Sequence, residues 1–357
     1  MKKNRTVIIA CLLSGTLFYA CHKAETNPSG IDFPTLEQEV VNDFVSNVAL
    51  PQYNNLTLAA GGLNAAIVTL NTTPTDVNLA AAQASWKTLR RTWEQCEGFL
   101  FGPVEDNDYD PNTDTWPTDY TQMDSLLASS NTLEPTDIQN LPQSLRGYHP
   151  IEYTIFGVGG SRTAASLTAR EKKYMVSLAS DVLNNNVQPL YDDWASAPVH
   201  YDNQVLTAGK GSTKFNTRQE LYLAIVGAMT DISEEVGNGK MFEPFTAKDS
   251  TITESPYSGN TLSDFKDNIV GLQNVYLGLN GGKGIKDLVA AKNKSLDNQI
   301  QAQITSAISS FSNITLRYEQ AIYDQRTQVQ QTMTQLNTLR DLLDDELKNF
   351  ITTYIKD

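Results

Sequence analysis

Apolar residues recur along this chain at helical spacing. Leu296, Ile300, Ile304, Ile308, Phe311, Tyr318 and Ile322 step by three, four or seven residues. Val329, Met333, Leu336, Leu339, Leu343, Leu347 and Phe350 continue the series. Such steps place one apolar stripe on each helix, turned toward a core. No Gly or Pro occurs from Ile285 onward, so nothing local interrupts these helices. The same spacing predicts helices over 36–49, 52–70, 75–101, 168–195, 217–243 and 262–279. Alternating strand patterns are scarce. The expected fold is all-α, with two helical bundles inside one region, 35–355.

Breaks in the pattern are informative. Residues 102–118 hold Pro103, Pro111, Pro117 and several Asp and Asn residues, and 245–261 are rich in Ser, Thr, Pro and Gly. Both are longer than a minimal connector, which favours function over mere connection. Residues 191–215 form a further break, expected between the two bundles.

The start of the chain does not read as part of that fold. Lys2, Lys3 and Arg5 precede a short apolar stretch, Val7 to Ala20, and Cys21 follows. This is the order of a secretory signal over 1–20, too short for a comfortable membrane span. Cys21 after a small residue points to acylation at that cysteine. Phe18 and Tyr19 stand where Leu and a small residue are usual, so ordinary cleavage near Ala20 is the alternative. Residues 21–34 read as a flexible tether. The expected location is outside the cytoplasm, lipid-anchored to a bacterial envelope at the periplasm or cell surface, with the lipid as the one membrane contact.

The chain has 27 basic and 41 acidic residues, a net charge of −14, and losing Lys2, Lys3 and Arg5 would make it −17. Such a surface repels nucleic acid and anionic membranes but not cations. Of three cysteines, Cys11 lies in the signal and Cys21 is the anchor. Cys96 is left alone, so no internal disulfide is expected and Cys96 reads as a buried packing residue.

Three segments carry candidate chemistry. In Gly147-Tyr148-His149-Pro150-Ile151-Glu152-Tyr153, imidazole and carboxylate are three residues apart and share a face if helical, so both could meet one cation. The competing account is capping: Pro150 suits the first helical position, which would put Glu152 at N3 to cap free N–H groups. On spacing alone capping is favoured. In the segment from Trp86 to Phe99, helical spacing puts Trp86, Arg90, Trp93 and Glu97 on one face. A buried Arg90 or Glu97 needs a partner; the plainer alternative is an Arg90–Glu94 pair with Glu97 partly exposed. In Glu254-Ser255-Pro256-Tyr257-Ser258-Gly259-Asn260-Thr261, Thr261 is expected to cap a helix with Asp264 at N3, leaving Glu254 and Ser255 without a structural task.

Together these segments resemble the imelysin-like family. Residues 147–153 resemble its Gly-x-His-x-x-Glu motif followed by an aromatic. Trp86 to Val104 is similar to its early helix, Asp110 to Pro117 to the loop after it, and Glu254 to Ser258 with the helix to Gly278 to its second-half signature. Four segments in order are more specific than any one. Pro150 departs from the small residue more usual there. The resemblance implies two helical bundles sharing a site, and an association with bacterial iron uptake. It carries over His149 and Glu152 most directly, then Arg90, Glu97, Glu254 and Ser255.

Three functions follow as expectations. The first is binding of a divalent metal ion, iron in particular, by His149, Glu152 and Glu97, with Arg90, Glu254 and Ser255 as further binding residues and an envelope iron-uptake system as partner. The second is a metallopeptidase using Glu152 as ligand or base, which would need unusual carboxylate ligands. The third is a module in which Arg90 and His149 hold an organic anion or a protein partner.

Overall fold

The computed structural model describes residues 32–356. The signal, the Cys21 anchor and most of the tether lie outside them. Helix α1 runs over 33–72, begun by the Asp32 carboxylate accepting from Thr35 N–H, so the last two residues read as tether, Phe33 and Pro34, are already helical. The helices expected at 36–49 and 52–70 are one. Pro51, in the gap between them, sits two residues after a π-helical turn at Phe44–Ala49. Proline lacks an N–H and crowds the carbonyl four residues back; a wider turn removes that conflict without ending the helix. Pro189 follows the π turn Val182–Val187 in the same way.

The chain continues as α2 (Asp76–Cys96), α3 (Tyr109–Asp114), α4 (Tyr148–Phe156), α5 (169–195), α6 (218–240), α7 (Thr261–Leu277), α8 (Ile285–Lys292), α9 (Lys294–Ser310) and α10 (326–354). No strand occurs among the described residues, and the fold is all-α. The segment 102–118, expected as loop, carries α3 and a shorter helix, Pro103–Asp106. No described helix is long and apolar enough to cross a membrane.

Helices α1, α2, α4 and α5 pack on one another, as do α6, α7, α9 and α10, and α2 lies against α7. In α1, Tyr53, Leu56, Ala60, Leu63, Ile67 and Leu70 form the buried stripe; each large apolar side chain so buried contributes roughly 1.5–3 kcal/mol. The α2–α7 crossing is unusually close. A methyl group on Gly98 would stand 2.5 Å from the Gly271 carbonyl carbon, and one on Gly271 2.3 Å from the Gln95 carbonyl oxygen. Glycine at both positions brings two backbones into contact and sets the polar face of α2 directly against α7.

Candidate functional site

The polar face of α2 begins this site. Trp86, Arg90 and Trp93 are fully buried and Glu97, in a 3₁₀ turn at the helix end, nearly so. The Trp86 indole N–H donates to the Tyr148 carbonyl at 2.9 Å and the Trp93 indole N–H to Asp114 at 2.7 Å. The aromatic residues thus pin α4 and α3 to α2. Arg90, wedged between them, pairs with Glu94 one turn on, with Asp114 of α3, and with Glu254 at 2.8 Å. Its Nε lies 4.0 Å from Asp264 of α7. The Arg90–Glu94 pair exists, yet Glu97 is buried as well, so the plainer reading of this face holds only in part.

Helix α4 starts from Gly147, with φ 80° and ψ −150°. A side chain there would be strained, and a Cβ would lie 2.0 Å from the Thr113 carbonyl oxygen. Gly147 therefore lets α4 close onto α3 beside Asp114. The helix begins earlier than the capping account requires. Tyr148 is its first residue and Pro150 its third, where a missing N–H costs nothing. Glu152 thus falls outside the N3 position. It does hold backbone N–H groups, but of a distant segment: Oε1 accepts from Tyr257 at 3.1 Å and Ser258 at 2.7 Å.

His149 is fully buried under Trp116, whose ring centroid is 4.7 Å away. Its Nε2 is 3.1 Å from Asp114 Oδ1 and 3.7 Å from Glu254 Oε1, and its Nδ1 is 3.9 Å from Glu152 Oε2. Neither ring nitrogen makes an aligned hydrogen bond, and Glu152 Oε2 and Glu254 Oε2 are also unpartnered. Burial opposes charge on the ring, but contacts with Asp114 and Glu152 outweigh it and lift the imidazole to about 9.

Glu97 belongs to the far side of the cluster. Asn268 of α7 spans Glu94 at 2.6 Å and Glu97 at 2.7 Å with one amide group. Lys240, at the end of a π turn in α6, reaches Glu97 at 3.4 Å and Glu254 at 3.7 Å. Ser255 points elsewhere: its hydroxyl donates to Asp264 at 2.6 Å and its N–H to Thr261 Oγ1 at 3.0 Å. Thr261 is the first residue of α7, not its cap; Asn260 holds that place, and the Thr261 hydroxyl donates to Glu319. Cys96 is buried, and burial pushes its thiol up.

Ligand atoms of Asp114, His149 and Glu254 lie within 4.8 Å of one another, as do those of Glu94, Glu97 and Asp114. The first group has the unpartnered nitrogens and carboxylate oxygen; the second is already bridged by Arg90 and Asn268. Hence His149, Glu152 and Glu97 do not form one three-ligand set. His149 joins Asp114 and Glu254, with Glu152 behind it. Asp114, Asp264, Lys240 and Asn268 went unselected as site residues in the sequence. Asp114 had a signal in its place in the segment 110–117, and Asp264 and Asn268 in the helix running to Gly278; Lys240 had none.

Six buried carboxylates (Glu94, Glu97, Asp114, Glu152, Glu254 and Asp264) meet Arg90, Lys240 and His149. Carboxylates outnumber cations by three even with the imidazole protonated. Burial drives Glu94 and Glu97 well above the usual carboxylate range and Asp264 to about 7. Asp114 moves the other way: burial would raise it, but Arg90 and His149 hold it well below. A cavity of about 370 Å³ opens onto Asp114, Glu254, Glu97 and Lys240, between Trp116, Pro117, Leu100 and Ile252.

The fold of this protein is all-helical around a buried imidazole–carboxylate cluster, and the chain belongs to the imelysin family, whose model matches residues 49–345. Iron-regulated protein A of Synechococcus elongatus is 31% identical over 278 residues, covering 77% of this chain and 72% of that protein. A crystal structure described as an iron-regulated protein A precursor, from Parabacteroides distasonis, superposes with TM-score 0.78 at 25% identity, covering 89% of this chain and 95% of the other. An imelysin-like protein from Psychrobacter arcticum has the same fold, with TM-score 0.71 at 12% identity over 90% of this chain and 97% of its own.

Proposed function

We propose that this chain binds a divalent metal ion through Asp114, His149 and Glu254, and does so in iron acquisition at the bacterial envelope. The carrying observation is the surplus of buried carboxylates around an imidazole with no aligned hydrogen bond. A buried charge without a partner is costly, so the cluster either takes up protons or takes up a cation. One imidazole with carboxylate oxygens suits divalent cations of intermediate hardness, iron among them. The name of the Synechococcus relative supports iron in particular. The sequence start supports an exported, Cys21-anchored protein serving an envelope uptake system.

Two other readings fit less well. In a peptidase, Glu152 would have to reach a substrate or its water; it is bound by two backbone amides and is absent from the cavity wall. In an anion-binding module Arg90 would have to face the ligand, but it is fully buried and both terminal nitrogens are engaged by carboxylates.

Metal analysis and calorimetry on the mature protein test the proposal. One equivalent of Fe²⁺ or Mn²⁺ is expected, lost in His149→Ala and Glu254→Gln and retained in Glu152→Gln. Bound protons are expected to leave as the metal enters. Unchanged stoichiometry and affinity in the first two variants would eliminate this site.

A further inference from the structure

Lys240 is the one cation of the cluster with a route out. Arg90 is fully buried among carboxylates on three sides. The Lys240 side chain is 14% exposed, and its Nζ lies 3.4 Å from Glu97, 3.7 Å from Glu254 and 3.3 Å from Glu235. Glu97 and Glu254 are buried, whereas Glu235 is 56% exposed. The lysine therefore bridges the interior of the cage and its rim. The cavity it lines carries Glu97, Asp110, Asp114, Glu235, Glu243 and Glu254, so Lys240 is the single ammonium among six carboxylates.

Its backbone is arranged for this. Lys240 ends the π turn Glu235–Lys240, and such single turns re-aim a side chain relative to a regular helix. Gly239 before it has open space around it. A lysine is a compact charge on a flexible four-carbon stem, able to change partners without leaving carboxylate company.

Glu254 makes the competition explicit. The same carboxylate faces His149 at 3.7 Å, in the ligand set proposed above, and Lys240 at 3.7 Å. A divalent ion beside Glu254 would stand close to the ammonium and repel it. We infer that Lys240 is a tethered counter-cation: it compensates the cage when no metal is bound, and when a divalent cation takes Glu254 it lets go of the interior carboxylates and keeps Glu235 at the rim, already 3.3 Å away. Metal capture and release are then an exchange of one cation for another, and Lys240 limits affinity so that the ion can be handed on. This inference rests on the metal-binding reading.

The probe is Mn²⁺, titrated at neutral pH against the mature wild-type protein and four variants, with helicity followed by circular dichroism. Lys240→Gln removes the competitor and is expected to bind Mn²⁺ at least tenfold more tightly than wild type. Lys240→Arg is expected to bind more weakly. A natively helical Lys240→Gln with equal or weaker affinity overturns the inference while leaving the metal site intact. If Lys240→Gln does not fold, the exposed rim decides. Glu235→Gln removes the resting place and should weaken Mn²⁺ binding about threefold more than Glu243→Gln, which lowers the cavity charge equally but does not pair with Lys240. Equal effects of the two rim variants overturn the inference. No Mn²⁺ binding by wild type overturns both this and the function on which it rests.

Discussion

Two buried arginines in this protein live in opposite circumstances. Arg146 meets Asp181 at 3.1 Å, and its remaining donors reach Asn112 and the Gln139 carbonyl, while Asn185 serves the other oxygen of Asp181. No side-chain atom of that pair is left without a hydrogen bond. Arg90 is more deeply buried, yet Arg90 Nε, both nitrogens of His149, Glu152 Oε2, Glu254 Oε2 and Asn268 Oδ1 around it all lack one. The first arrangement is complete and ties α5 to the segment before α4. The second leaves donors and acceptors alike unpaired, and its carboxylates outnumber its cations. A buried ion pair alone argues only for structure; an imbalance maintained by close packing argues for a further cation.

The widest separation between the two regions is expected on deleting each arginine. Arg146→Met leaves one buried carboxylate uncompensated and should cost about 3 kcal/mol in urea unfolding. Arg90→Met strands several and should cost about 5 kcal/mol or more, recovered in part by Mn²⁺. Equal costs, with no effect of metal, would mean that the two clusters are alike.

A smaller effect tests how the imbalance is held together. Gly147→Ala forces a strained backbone and a collision with Thr113, at roughly 3 kcal/mol. Gly159→Ala, also at positive φ but with no atom within 4 Å, should cost about 1 kcal/mol. Only the first should disturb metal binding, because only it moves His149 from Asp114.

The remaining test is of pH dependence. Asp264 (to about 7) and His149 (to about 9) are raised in the folded state. A raised group stabilises fully below its unfolded value and loses that contribution as pH climbs through the folded one. Asp114 acts oppositely, and only below its ordinary value of 3.8. The metal-free protein should therefore lose stability from about pH 4 to 9, first through Asp264 up to about pH 7 and then through His149, on this linkage. Saturating Mn²⁺ should flatten the slope. Thermal unfolding across that range checks it, and a slope unaffected by metal would separate the titrating groups from the site.

Much of the architecture was legible in the order of residues, and for local reasons. Helical spacing depends on side chains a few positions apart, so the stripes of α9 and α10 and the common face of Trp86, Arg90, Trp93 and Glu97 could be read directly. Boundaries failed where a non-local or wider-turn solution intervened: Pro51 lies within α1 because a π turn absorbs it, and Glu152 caps not its own helix but residues 257–258. His149, Glu254 and Arg90 could be singled out by type and motif.

What sequence alone could not supply was company. Asp114 shares no helix with His149, and Asn268 and Lys240 are more than a hundred residues beyond the Glu94 and Glu97 that they serve. Their convergence follows from Gly98 and Gly271 allowing backbone contact and from Gly147 closing α4 onto α3. The chain by itself determined that it would be helical, acidic and equipped with one imidazole in a family motif. Tertiary packing decided that the imidazole would face Asp114 and Glu254, because charge balance at a buried point depends on which distant segments the core brings there.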